Sequence, residues 1–157
     1  LSGAKELLGR SFSIFGTVIR GKGRGRALGF PTANLRPHSE ILPPAGVYPV
    51  QVRQNLFHLK RTGAENRFVH ESPKKGPWQD GILNYGTRPT FADAERDAIP
   101  EVFLFDFEGD LYGNTLEAVF HPRLREEKTF NSSQELVSMI RKDIEVARGY
   151  FQKMRRG

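Results

Sequence analysis

Glu101-Val102-Phe103-Leu104-Phe105-Asp106-Phe107 leads, past Glu108-Gly109-Asp110, to Thr115-Leu116-Glu117-Ala118-Val119-Phe120. Both segments are rich in β-branched and aromatic residues, and turn formers lie between them, so they read as two strands of a hairpin. The first segment is apolar on both faces, which suits a strand inside a closed sheet better than one with a wet side. Working outward, Phe12 to Arg20 reads as a strand, and Pro31 to Leu35 as a short extended piece followed by turn residues from Arg36 to Glu40. Gly46 to Val52 and Gly81 to Tyr85 read as further strands. Residues 60–79 lack periodicity and are expected to form a loop or irregular hairpin. Several short strands at this spacing predict an all-β sandwich or barrel.

The C-terminus changes character. Val137, Ile140, Ile144, Ala147, Phe151 and Met154 recur at steps of three and four, the stripe of one amphipathic helix packed on the barrel. Asn131 or Ser132 can cap it, with Gln134 or Glu135 reaching back.

The chemistry concentrates elsewhere. Gly21-Lys22-Gly23-Arg24-Gly25-Arg26 is a glycine and basic loop. Glycine lets backbone N–H groups approach an anion directly, and the cations add attraction. Pro31-Thr32-Ala33-Asn34 follows, placing a hydroxyl and an amide oxygen on one face of an extended segment. That pair beside a phosphate cradle suits Mg²⁺, a hard cation that takes oxygen ligands. The loop is neither a Walker A motif nor a dinucleotide fingerprint. On its residues alone, a basic hairpin loop with Thr and Asn in turn roles explains it equally well. Glu101 opens an apolar strand, where a carboxylate is costly without a partner or a task. A lone Glu on an exposed edge strand is the ordinary alternative.

Composition sets outer limits. With 157 residues, 38% hydrophobic and 27% charged, the chain fits one globular domain. It has no apolar run of about 18 residues, the length a spanning helix needs. The absence of cysteine excludes disulfides and thiolate metal sites and fits a cytoplasmic setting. His38, His58, His70 and His121 show no metal-ligand spacing. The net charge of +6 invites a nucleic-acid reading. However, the basic loop carries no interleaved aromatics for base stacking, with Phe30 only at its end, which argues against that partner.

Four ordered blocks resemble the riboflavin kinase family: the loop with Gly29-Phe30-Pro31-Thr32-Ala33-Asn34, then Leu42 to Tyr48, then Asn84 to Phe91, then Glu101 to Gly113. The similarity runs from about Leu8 to Ala147. It departs at Phe103, where bacterial relatives usually have His, at Glu126, where the family tends to have Pro, and in a longer polar segment over 53–80. The resemblance implies a mainly β fold, a six-stranded antiparallel Greek-key barrel with a long C-terminal amphipathic helix. It implies ATP-dependent phosphorylation of riboflavin to FMN, with Mg²⁺ held by Thr32 and Asn34. In that reading Glu101 is the catalytic base, and Gly21, Lys22, Gly23, Arg24, Gly25 and Arg26 wrap the ATP phosphates. Tyr112 lies near the adenine, and Arg125, Glu127 and Phe130 form a flap over the flavin. Arg88 is expected to hold a turn. The family's bacterial style also implies an FMN adenylyltransferase domain upstream, residues 1–10 as a linker remnant, and 11–157 as the kinase domain. Leu1 in place of Met, and the helix-end character of Ala4 to Leu8, agree with that division. The alternatives are a flavin- or nucleic-acid-binding barrel without catalysis.

Overall fold

The computed structural model describes residues 11–21, 23–38, 40–56, 59–62, 67–70, 74–86 and 99–157. The linker reading of residues 1–10, and the expectations for Lys22 and Arg88, lie outside them.

In chain order the elements are β1 (Ser13–Ile19), α1 (Arg24–Ala27), β2 (Ala33–Pro37), β3 (Gly46–Leu56), β4 (Leu59–Thr62), β5 (Arg67–His70) and β6 (Lys74–Lys75). Then come β7 (Gln79–Tyr85), β8 (Glu101–Leu104), β9 (Thr115–Phe120) and α2 (Ser133–Met154). The main sheet runs β6-β3-β7-β8-β2-β1-β9, and β9 pairs again with β3, so six strands close into a barrel and β6 flanks it. All these pairings are antiparallel. β4 and β5 form a separate hairpin, as the irregular segment allowed.

Alternation along the strands fills the barrel. Ile14, Val18, Leu35, Tyr48, Val50, Leu83, Val102, Leu116 and Phe120 point inward and are buried together. The opposite face of β7 and β8 is also apolar because α2 covers it. Ile82 and Phe105 pack there against Ala147 and Phe151, with Phe103, Ile144 and Tyr150 around them. Two cores, one on each side of the sheet, account for a strand that is apolar on both faces.

Three expectations are corrected. The segments around 101–107 and 115–120 are not a hairpin: β8 pairs with β2 and β7, while β9 pairs with β1 and β3. Both edges of β8 are already occupied, so the chain crosses the barrel end before β9 begins. β8 also stops at Leu104, and Asp106 turns the chain away with a φ of 52°. β2 runs on to Pro37, past the expected turn at Arg36, because Gly16 and Thr17 of β1 supply register partners for Pro37 and Arg36. Finally, the helical stripe ends at Phe151. Met154 is exposed. Of the two candidate caps, Ser132 is the N-cap: its Oγ accepts the Glu135 N–H at 3.1 Å, and Glu135 accepts from the Asn131 N–H at 3.2 Å.

Phe151 is fully buried between the helix and the barrel, with Tyr150 and His121 rings at 5.4 and 5.2 Å. Phe151→Ala is expected to remove about 3–5 kcal/mol of stability, the usual cost of emptying an aromatic site in a core. Urea unfolding measures it, and a loss below 1 kcal/mol would mean the second core is not well packed.

Candidate functional site

The site lies on the outer face of the barrel. Ile19, Asn34, Glu101, Asn84 and Val47 stand opposite one another in successive strands. One residue along from each, Val18, Leu35, Val102, Leu83 and Tyr48 face the interior. A period of two therefore turns the row itself outward. The next outward row, Ile82 and Phe103, already belongs to the core beneath α2. The polar row thus runs along the upper border of the helix-covered face.

Glu101 is paired on both edges of its strand, so it is not the edge-strand carboxylate that the sequence left open. Its Oε2 accepts from the Thr32 hydroxyl at 3.4 Å, and Asn34 is its register partner. Thr32 thus meets the carboxylate directly, while Asn34 stands beside it through strand register. Asn34 is 8% exposed, an uncommon degree of burial for an amide side chain. The glycine loop covers it. A Cβ on Gly21 would stand 2.0 Å from Asn34 Nδ2, and one on Gly25 would stand 2.4 Å from the Phe30 carbonyl and 2.9 Å from Thr32 Oγ1. Only glycine at these two positions lets the loop close over Thr32 and Asn34. Within the loop, Arg24–Ala27 makes the single helical turn α1, and Phe30 N–H returns to the Gly25 carbonyl at 2.8 Å. Gly23 has a φ of 68°, and Arg26 is exposed.

Thr32 also helps wall a cleft of about 700 Å³, together with Arg26, Phe103, Asp106, Leu111 and Tyr112. Tyr112 is half exposed, with the Arg20 guanidinium 5.5 Å from its ring centre. Phe103 packs edge-on to Phe30 at 5.9 Å and forms part of this wall.

At Val47 the row continues into the 121–132 segment. Val47 N–H donates to the Arg125 carbonyl at 3.0 Å. The Glu127 carboxylate lies against Gly86, where a Cβ would meet its oxygens at 2.0 and 2.2 Å. A second cleft, about 830 Å³, is lined by Glu127, Lys128, Phe130, Ser132, Ser133 and Leu136. Phe130 lies 5.8 Å below both the Arg125 guanidinium and the Lys128 ammonium. The Arg125 side chain is already engaged: Nε and Nη2 donate to the Asp143 carboxylate at 2.8–3.0 Å, and Nη1 to the Glu126 carbonyl at 2.9 Å. Asp143 is buried on α2 and satisfied by this pairing. Sequence reasoning missed it, although an acid in register with Ile140 and Ala147 on the apolar stripe was the available signal.

Among the described residues, no three His, Cys, Asp or Glu side chains form a metal cage. The Thr32 hydroxyl and Asn34 amide, beside one carboxylate and beneath a loop with no room for a Cβ, nevertheless fit a hard divalent cation. Such a cation completes its shell with water and phosphate oxygens. Elsewhere, burial raises the Tyr48 hydroxyl above its usual pKa, and hydrogen bonds from Arg148 hold the Asp106 carboxyl below the ordinary range.

A closed barrel with a carboxylate bonded to the wall of one cleft, and with a second cleft elsewhere on its surface, offers places for two substrates. A sequence model of riboflavin kinase matches residues 8–151, and the chain belongs to the riboflavin kinase family. The reaction of that family is ATP-dependent phosphorylation of riboflavin to FMN. Two curated relatives are bifunctional riboflavin kinase/FMN adenylyltransferases. That of Haemophilus influenzae is 38% identical over 94% of this chain and 41% of its own length. That of Bacillus subtilis is 37% identical over 98% and 43%. The chain thus spans about two fifths of these relatives. A crystal structure described as a macrolide-efflux protein from Streptococcus pneumoniae superposes with a TM-score of 0.71, at 31% identity, covering 93% of this chain and 41% of that one. No helix among the described residues is long and apolar enough to cross a membrane.

Proposed function

We propose that this chain transfers the γ-phosphoryl group of ATP to the ribityl 5′-hydroxyl of riboflavin, releasing FMN and ADP. The observation that carries the reading is the Thr32–Glu101–Asn34 constellation, closed by a glycine loop, with Thr32 in the wall of a cleft. ATP occupies the cleft beside Thr32, with Tyr112 near the adenine. The amides and cations of the 21–26 loop receive the phosphates. Riboflavin enters from the side of Glu127 and Phe130, where an aromatic face suits a planar ring. Arg125 contributes by holding this flap in place through Asp143.

Phosphoryl transfer passes through a loose transition state, so catalysis is mostly alignment and charge neutralisation. The hydroxyl oxygen attacks the γ-phosphorus as the bond to the bridging oxygen of ADP breaks. The hydroxyl proton passes to the Glu101 carboxylate late in the step. A carboxylate is too weak a base to ionise an alcohol beforehand, so the main contribution of Glu101 is aim. Mg²⁺, held by Thr32 and Asn34, would neutralise charge on the phosphate oxygens.

The parent protein, like the relatives, would carry FMN adenylyltransferase in another domain and act in the cytoplasm. Incubated with riboflavin, ATP and Mg²⁺, the chain is expected to produce FMN and ADP, with no FAD, as followed by chromatography. Folded protein that makes no FMN would leave a flavin-binding barrel as the better reading. FAD formed by this chain alone would overturn the assignment of the second activity to another domain.

A further inference from the structure

The 106–112 segment walls much of the cleft beside Thr32, yet it lies beyond the end of β8 and belongs to no strand. Its far end is tied to β1: Gly113 N–H donates to the Val18 carbonyl at 2.9 Å, and Arg20 lies over the Tyr112 ring. Its near end begins at Asp106, whose φ of 52° is a left-handed conformation that aspartate tolerates better than most residues. There Arg148 of α2 reaches across. Its Nη1 and Nη2 donate to the two separate Asp106 oxygens, each at 2.8 Å, and its guanidinium lies 4.6 Å from the centre of the Phe105 ring.

We propose that Arg148 is a positioning residue for the nucleotide, acting through Asp106 to fix the loop that walls the nucleotide cleft. A two-toothed pairing sets the orientation of a carboxylate as well as its distance, which a lysine cannot do. Because the carboxylate belongs to the turning residue, fixing it also fixes the direction in which the loop leaves β8. Asp106 is largely and Arg148 nearly half solvent-exposed, so the pair adds little to global stability. Five residues earlier on the same helix, Asp143 holds Arg125 and with it the segment that lines the second cleft. Thus α2 anchors a wall of each cleft.

The inference rests on the assignment of that cleft to ATP, and the kinetic test separates the two. Arg148→Met and Asp106→Asn are each expected to raise KM for MgATP about fivefold, the scale of one well-formed exposed ion pair. KM for riboflavin and the saturating kcat should move far less, and the melting temperature should hold within about 2 °C. The double variant should be no worse than either single one, and Arg148→Lys should recover only part of the loss. An unchanged KM for MgATP in both single variants, with normal wild-type turnover, overturns the inference and leaves the cleft assignment standing. Equal rises in KM for both substrates overturn it too, since they indicate a general loosening. If Arg148→Met lowers the melting temperature, Asp106→Asn decides. If KM for riboflavin alone rises, the cleft belongs to the flavin, and both the assignment and the inference fall.

Discussion

Glu101→Gln is expected to lower kcat by roughly 10²–10⁴-fold, the range seen when a positioned general base is lost. The substitution keeps the length and planarity of the side chain and can still accept from the Thr32 hydroxyl, 3.4 Å away in the parent protein. It removes the charge and the capacity to take the proton. Glu101 lines neither cleft, so nucleotide and flavin affinities should change little. A fall in kcat at constant KM is the mark of an interaction made only in the transition state. Steady-state kinetics in both substrates, with circular dichroism to establish folding, provide the measurement. Near-normal kcat from a folded variant would reduce Glu101 to a structural partner of Thr32. A variant that does not fold would instead show that the carboxylate supports the sheet.

The sequence carried the strands and the C-terminal helix further than it carried their connections. Strand positions were legible because inward residues such as Val18, Leu35 and Val102 alternate with outward ones, and that signal is local. Which strand pairs with which is not local. The 101–120 segment had every mark of a hairpin, yet β2 and β7 claim both edges of β8, and nothing in the segment itself records that competition. The same limit hid the polar row. Asn34, Glu101 and Asn84 come from three separate strands and meet only through register. Pairings across long separations, Arg125 with Asp143 and Arg148 with Asp106, were equally out of reach, although a buried acid on the apolar stripe of α2 was a usable hint. The glycine-rich loop was legible in composition. Its reason for glycine was not, because Gly21 and Gly25 are required by close approach to Asn34 and Thr32, a contact seen only in the folded chain.

That close approach makes Asn34 the second site of large expected effect. Asn34→Ala removes an amide that is buried beneath Gly21 and stands in register with Glu101, whose carboxylate Thr32 meets. If the amide oxygen is a ligand to Mg²⁺, its loss should cut turnover by on the order of 10²-fold or more, since charge on the transferring group is then poorly neutralised. Turnover alone does not separate this from a slackened loop, because alanine also leaves a gap beneath Gly21. Calorimetry of ATP binding with and without Mg²⁺ does. A ligand role predicts that the gain in ATP affinity conferred by Mg²⁺ shrinks in the variant, while metal-free ATP binding stays close to that of the parent. A structural role predicts the reverse: metal-free binding weakens with the loop, and the increment from Mg²⁺ is preserved. An unaltered Mg²⁺ increment would place the metal ligands elsewhere and leave Asn34 as the side chain on which the glycine loop rests.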